Sequence, residues 1–233
     1  MLNLQCLEYY NFNLSSYLAI KIAVQPMKVI SLLTRKGGSG KSTLTTHWAV
    51  EAERTRGKKA VIIDFDPQGS SSSWYSKREA DSPLLIQSGP NLIKDHLEAC
   101  RTDGVDFVLI DTVPDINAIA VHAARVSDLV IIPVRPSVLD MEAISASVEL
   151  VDGVGKTAII ILNQSPTGST VAQEAETALD QYGLTICPVY LHSRIVFSRS
   201  MIDGRTAVEV EPKGKAAQEI KESWKWIKKQ LGD

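Results

Sequence analysis

The chain has 233 residues, with 25 Lys and Arg against 27 Asp and Glu, and a formal net charge of -2. Hydrophobic residues make up 44% and charged residues 22%, the balance of an ordinary folded domain, which excludes disorder, collagen and a disulfide miniprotein. Near-neutral charge also excludes nucleic-acid binding through overall charge, so any DNA contact has to come from a local patch. Cys6, Cys100 and Cys187 are too scattered for a disulfide framework or a zinc site, and their odd number fits a reducing cytosol. His47, His96, His122 and His192 show no metal-ligand spacing and read as surface or satisfied buried residues. No uncharged apolar run reaches the ~18 residues of a membrane span.

Residues 1–26 hold Tyr9, Tyr10 and Tyr17 and only two charges, Glu8 and Lys21. No basic residue precedes Lys21, so the segment lacks the charged start of a secretory signal. Met27 opens MKVISLLTRKGG, which reads as a natural beginning for a domain over residues 27–233. Residues 1–26 are then an upstream extension, not native to the protein, or an arm that packs on the domain.

From there, short β-branched runs alternate with amphipathic stretches. The runs are Val29–Leu33, Ala60–Ile63, Phe107–Ile110, Leu129–Val134, Ala158–Leu162 and Leu184–Val189. Their continuous apolar character predicts strands buried on both faces. The stretches include Ser42–Arg56, Ile116–Arg125, Met141–Val151 and Val171–Tyr182. Strand–helix alternation predicts one α/β domain with a mostly parallel, twisted sheet flanked by helices. Right-handed crossovers place all strand C-termini on one edge, where ligands bind. The serine run Ser70–Ser73 predicts a loop or a helix start.

Lys36-Gly37-Gly38-Ser39-Gly40-Lys41-Ser42-Thr43 lies between the first strand and the first helical pattern, the context of a phosphate-binding loop. Glycines let backbone N–H groups turn around phosphate oxygens, and the following helix adds its positive end. Lys41 is predicted to reach the β- and γ-phosphates, and the Ser42 hydroxyl to ligate Mg²⁺. Where the general pattern has its first Gly, this chain has Arg35, and it carries an extra lysine, Lys36, early in the loop. This KGGxGK[ST] loop resembles that of the ParA/MinD family of ATPases, a single-domain P-loop NTPase class. In that family the early lysine reaches across a dimer to the partner's phosphates, so the resemblance implies this role for Lys36. Thr34 stands where family members often have Asn. A second stretch, Gly153-Val154-Gly155-Lys156-Thr157, precedes a strand and reads as a helix-ending turn.

Asp64 and Asp66 follow the second strand in DFDPQG and fall on the same side of an extended chain. The resemblance implies that Asp66 orients or activates the attacking water and that Asp64 supports the Mg²⁺ region. Asp111 closes the strand Phe107–Ile110 in a Walker B arrangement and is predicted to hold the Mg²⁺. The segment Ile132–Asp140 resembles the family's proline-containing segment, which implies that Pro136 stiffens a nucleotide-edge loop. By resemblance, the Asn163 amide contacts the adenine. The motifs run in family order from about Met27 to the C-terminus. The cysteines do not fit the cluster-binding relative, nitrogenase iron protein. Only 26 residues precede Met27, too few for the helix-turn-helix domain of large plasmid members, so the likeness is to small ParA proteins.

Small ParA proteins have an Arg-bearing stretch where this chain has Arg194, Arg199 and Arg205. The resemblance implies contact with nonspecific duplex DNA, with Arg194 as the leading position. Over Lys213–Lys229, six lysines face two glutamates, a local surplus of four positive charges, and Lys221 and Lys225 join the candidate DNA face. The alternative is a solvated helix face. Ala216, Ala217, Ile220, Trp224, Ile227 and Leu231 share one face of that helix. That face either packs on the domain, which the sequence favours, or lies on a membrane as in MinD. Together the resemblance implies a slow, Mg²⁺-dependent ATPase that dimerises on ATP and binds DNA. A ParB-like centromere-binding partner stimulates it. It is cytoplasmic, on the nucleoid when ATP-bound, and partitions DNA; the alternative is a MinD-like positioner of another cargo.

Overall fold

A computed structural model describes residues 26–115 and 118–232. The expected extension lies outside the described residues except for Pro26, as do Ile116 and Asn117 of one expected helix. The chain runs β1 (Lys28–Leu32), α1 (Lys41–Glu53), β2 (Ala60–Asp64), α2 (Ser70–Tyr75), β3 (Leu84–Gln87), α3 (Ile93–Thr102), β4 (Phe107–Asp111) and α4 (Ala118–Val126). It continues through β5 (Leu129–Val134), α5 (Val138–Glu142), α6 (Ile144–Gly153), β6 (Ala158–Leu162), α7 (Val171–Leu179), β7 (Thr185–Ile186), α8 (Ile195–Ser200), α9 (Ala207–Val210) and α10 (Lys215–Gln230).

The seven strands form one sheet in the order β3-β2-β4-β1-β5-β6-β7, parallel throughout. Strands β2, β4, β5 and β6 are buried along their whole length, because helices cover both faces. One face carries Ile93, Leu97, Ala120, Ala123, Ile144, Val148, Ala172 and Ala175 from α3, α4, α6 and α7. The other carries Trp48, Trp74, Val208, Ile220, Trp224 and Ile227 from α1, α2, α9 and α10. Register places Asp64 of β2 beside Asp111 of β4, and Asp111 beside Leu32 of β1. The parallel arrangement therefore gathers the phosphate loop and both acidic strand ends on one rim.

The structure departs from the sequence reading in several places. The edge strand β3 was not expected. Of Leu184–Val189 only Thr185 and Ile186 are in a strand. Met141–Val151 is two helices, α5 and α6, meeting at Ala143. The serine run opens α2, and the second GxGK stretch ends α6, as expected. The apolar face of α10 packs on the domain: the Trp48 indole N–H donates to the Ser223 hydroxyl at 3.0 Å, and Trp224 meets the Phe107 ring edge-on at 5.0 Å. Lys228 and Lys229 in its last turn complement the helix dipole. Among the described residues no helix is long and apolar enough to cross a membrane.

Candidate nucleotide site

Between β1 and α1 the chain makes a tight loop that requires glycine. Gly38 and Gly40 have φ of 76° and 95°. A Cβ on Gly40 would also overlap the Asn163 side-chain nitrogen. That nitrogen donates to the Ser39 carbonyl at 2.7 Å, and the Gln164 amide donates to the Gly38 carbonyl at 2.9 Å. The end of β6 thus braces the loop from behind.

The loop lines a cavity of about 430 Å³ with Gly37, Gly38, Gly40, Lys41, Ser42 and Thr43. Asp66, Ser70, Thr112, Pro114, Gln164 and Met201 complete its wall. Lys41 is 6% exposed and sits among acids. Burial lowers its pKa from the usual lysine value, against the pull of Asp111 and Asp66. Asp111, at the end of β4, is fully buried and does not itself line the cavity: the Ser71 hydroxyl donates to Oδ2 at 2.7 Å, and Oδ1 has no hydrogen-bond partner among the described residues. Burial pushes its carboxyl up to about 6, against hydrogen bonding from Ser71 and the charge of Lys41. A buried ionisable group with an unfilled acceptor beside a phosphate loop fits a hydrated Mg²⁺. Among the described residues no trio of His, Cys, Asp or Glu makes a metal cage. Mg²⁺ is held mainly by phosphates and water with one or two protein groups, and Ser42 and Asp111 are the candidates for that role.

Asp64, the last residue of β2, and Asp66, two residues beyond it, make different contacts. Asp66 lines the cavity, and its Oδ1 accepts the Gln68 amide at 2.8 Å. Asp64 does not line it. Its Oδ1 accepts the Asp66 amide at 3.0 Å, and its Oδ2 accepts the Ser72 amide at 2.9 Å and the Ser72 hydroxyl at 2.7 Å. Its carboxylate is committed to shaping the loop that carries Asp66. Pro136 is not among the residues lining the cavity; Pro114 is. Lys36 stands at the rim, its side chain 33% exposed, 3.7 Å from Asp140. Asp140 also accepts two hydrogen bonds from Arg135, at 2.9 and 3.1 Å, and one from Ser137. Despite burial, these partners hold its carboxyl below the usual range.

A second cavity of about 270 Å³ adjoins the first and shares Gly40, Thr43 and Gln164 with it. Asn163, His192, Ser193, Arg194, Phe197 and Ser198 line the rest. One hydrogen of the Asn163 amide is used on the Ser39 carbonyl, which leaves the second hydrogen and the amide oxygen for another partner.

Residues 30–207 match the model of the CobQ/CobB/MinD/ParA nucleotide binding domain family. The chain belongs to this family. It is 27% identical over 201 residues to the maintenance of carboxysome distribution protein A of Halothiobacillus neapolitanus, covering 81% of this chain and 90% of that protein. It is 26% identical to the chromosome-partitioning ATPase Soj of Thermus thermophilus, covering 50% of this chain and 58% of that one. The septum site-determining protein MinD of Pyrococcus horikoshii, solved with Mg-ADP, superimposes with a TM-score of 0.73 at 18% identity over 88% of this chain and 98% of that one, which shows the shared fold.

As a MinD/ParA-family domain, the chain puts its candidate DNA residues in contrasting settings. Arg194 lines the second cavity and pairs with Glu219 at 2.6 Å. Arg205 pairs with Asp203, and the Lys221 ammonium donates to the Pro212 carbonyl at 2.6 Å. Arg199 and Lys225 are exposed and have no ion pair among the described residues. Sequence reasoning missed Ser71, Ser72, Thr112, Pro114 and Glu219, whose roles depend on partners far along the chain.

Proposed function

We propose that this domain is a ParA-type ATPase that positions a cargo over DNA. The observation that carries the reading is the rim lysine. Lys41 lies inside the phosphate cavity, whereas Lys36 stands on its lip beside Asp140. A second copy facing that lip would receive Lys36 as a cation supplied in trans, the role an arginine finger fills elsewhere. ATP then favours a dimer with two nucleotides between its halves. Asp66, on the cavity wall, orients the attacking water. Among the described residues, those lining the cavity include the Asp66 carboxylate but no His or Glu, which supports slow intrinsic hydrolysis. A partner that stimulates hydrolysis, ParB-like where the cargo is DNA, would loosen the dimer. When bound, Mg²⁺ supplies charge neutralisation for the phosphates; Ser42 and Asp111 are the residues to hold it.

Arg199 and Lys225 are the better DNA candidates, since each is exposed and unpaired. Dimerisation doubles such weak phosphate contacts, and a slightly acidic protein then binds DNA only when assembled. The cargo is a plasmid, a chromosome or a protein body. Similarity over most of the chain to a carboxysome-distribution protein supports the last as much as the first two. Burial of the α10 apolar face speaks against a membrane surface.

The test is binding to random-sequence duplex DNA with no nucleotide, with ADP, and with a non-hydrolysable ATP analogue. The wild type should bind only with the analogue. Arg199→Ala/Lys225→Ala should weaken binding at every sequence and flatten the salt dependence. No DNA binding in any state, with binding to anionic vesicles instead, would overturn the DNA reading.

A further inference from the structure

Two residues beyond β6, the backbone of Gln164 turns left-handed. Its φ is 54°, the one positive value outside glycine among the described residues. That region is unfavourable for a residue with a Cβ and persists where the surroundings hold it. Here they do: the Asn163 N–H donates to the Val134 carbonyl at 2.8 Å, and the Ser165 N–H to the Leu191 carbonyl at 3.0 Å. Neighbouring side chains of an extended chain point to opposite sides. The amides of Asn163 and Gln164 nevertheless reach consecutive carbonyls, Ser39 at 2.7 Å and Gly38 at 2.9 Å. The left-handed turn breaks the alternation and brings both amides to the same loop.

We propose that Gln164 is a positioning residue of the phosphate loop, acting through the Gly38 carbonyl on the binding of phosphates. The inference rests on the nucleotide reading above. A trans peptide is planar and directs its carbonyl and its N–H to opposite sides. Among the described residues the one cis peptide is Ser82-Pro83, so the loop is trans. A hold on the Gly38 carbonyl therefore sets the direction of the Ser39 N–H, and a hold on the Ser39 carbonyl sets that of the Gly40 N–H. Neither N–H donates to a protein acceptor among the described residues, although Ser39 is only 1% exposed. Buried N–H groups are rarely left without an acceptor, and consecutive N–H groups of a glycine loop suit phosphate oxygens. Gln164 and Asn163 thus occupy the carbonyl side of two successive peptide planes and leave the N–H side to the ligand. Gln164 also borders both cavities, so a bound nucleotide would shield its hydrogen bond from water and strengthen it.

The experiment is equilibrium binding of ribose-labelled fluorescent ATP and ADP, each with Mg²⁺, to the full chain, beside urea unfolding without nucleotide. The proteins are wild type, Gln164→Met and Gln164→Gly. Methionine keeps the length of the side chain and the backbone strain but cannot donate. Glycine removes the donor and relieves the strain. Both variants should weaken ATP and ADP by about threefold to tenfold, the worth of one hydrogen bond. The factor should be the same for both nucleotides, because the loop N–H groups cradle phosphates that ATP and ADP share. The urea midpoint of Gln164→Gly should not fall below that of wild type, so binding weakens while the fold does not. A merely structural Gln164 would move affinity and midpoint down together. A loss of less than about threefold in both variants, a loss confined to ATP, or a fallen midpoint in Gln164→Gly overturns the inference. If the methionine variant misfolds, the glycine variant carries the test. A wild type that binds neither nucleotide overturns the nucleotide reading, and this inference with it.

Discussion

His47, on the helix that follows the phosphate loop, should make the fold acid-sensitive in a measurable way. Its Nδ1 lies 2.7 Å from the Thr43 carbonyl and its Nε2 3.0 Å from the Ala207 amide. A carbonyl requires Nδ1 to carry the proton, and an N–H requires Nε2 to be bare, so the ring is neutral and its tautomer fixed. Complete burial lowers its pKa from 6.5 to about 4, against the pull of Thr43 and Glu209. A lowered native pKa means that the unfolded chain binds the proton more tightly. The stabilising contribution is full above 6.5 and is lost as pH falls toward 4. Between about pH 7.5 and about pH 5 the loss comes to about 2 kcal/mol. Asp111 titrates with the opposite sign in an overlapping range, so the wild-type profile alone conceals the effect. The comparison with His47→Gln cancels the Asp111 contribution. Urea unfolding, followed by tryptophan fluorescence without nucleotide or Mg²⁺, should show the glutamine variant less stable at about pH 7.5 by about 1–3 kcal/mol. Its deficit should shrink by about 2 kcal/mol at about pH 5. A deficit equal at both pH values would refute the assignment of a neutral, buried imidazole.

Lys41→Ala should weaken ATP binding by at least about a hundredfold in calorimetric titration, and normal affinity would contradict the phosphate-loop assignment. Asp66→Ala should bind ATP, hydrolyse it poorly and accumulate as a dimer; a monomer with ATP in light scattering would count against its water-orienting role. The raised pKa of Asp111 makes its contribution to the nucleotide-free fold favourable below about 4 and lost as pH rises through about 6. Asp111→Asn without Mg²⁺ should therefore gain about 2 kcal/mol on the wild type between about pH 4 and about pH 7.5 in chemical denaturation, while losing its Mg²⁺-dependent nucleotide affinity. A constant stability difference across that range would contradict the buried carboxylate. Trp224→Ala should cost about 3–5 kcal/mol in the same assay, and a cost under about 1 kcal/mol would reopen the surface-lying reading of α10.

The phosphate loop was legible because its chemistry is contiguous: eight residues, a strand before and a helix after. The buried strands were legible because burial on both faces leaves an unbroken apolar run. β3 was not, since Leu84–Gln87 has only a three-residue apolar run and its two end residues are exposed. Leu184–Val189 misled for the opposite reason: its apolar residues are needed for packing, and the ladder ends at Ile186. An amide at a strand end is chemically ambiguous, so Asn163 could not declare that its partner is a carbonyl 124 positions away. Arg194 stood out as a cation, but its charge is answered by a glutamate 25 residues later on another element. Asp64 and Asp66 look alike in sequence, and only the position of Ser72 separates the loop-shaping acid from the one on the cavity wall.

The serine run at the start of α2 is monotonous only on paper. Ser71 is tied to the end of β4 and Ser72 to the end of β2, while Ser73 is exposed and Ser70 faces the phosphate cavity. Four identical letters therefore occupy four different environments, two of them acting as stitches between neighbouring strand ends. Sequence drift through this run should be uneven: Ser73 can change freely, whereas a one-residue insertion would shift both stitches out of register. The loop carrying Asp66 would then lose its anchor without any change to an acidic residue.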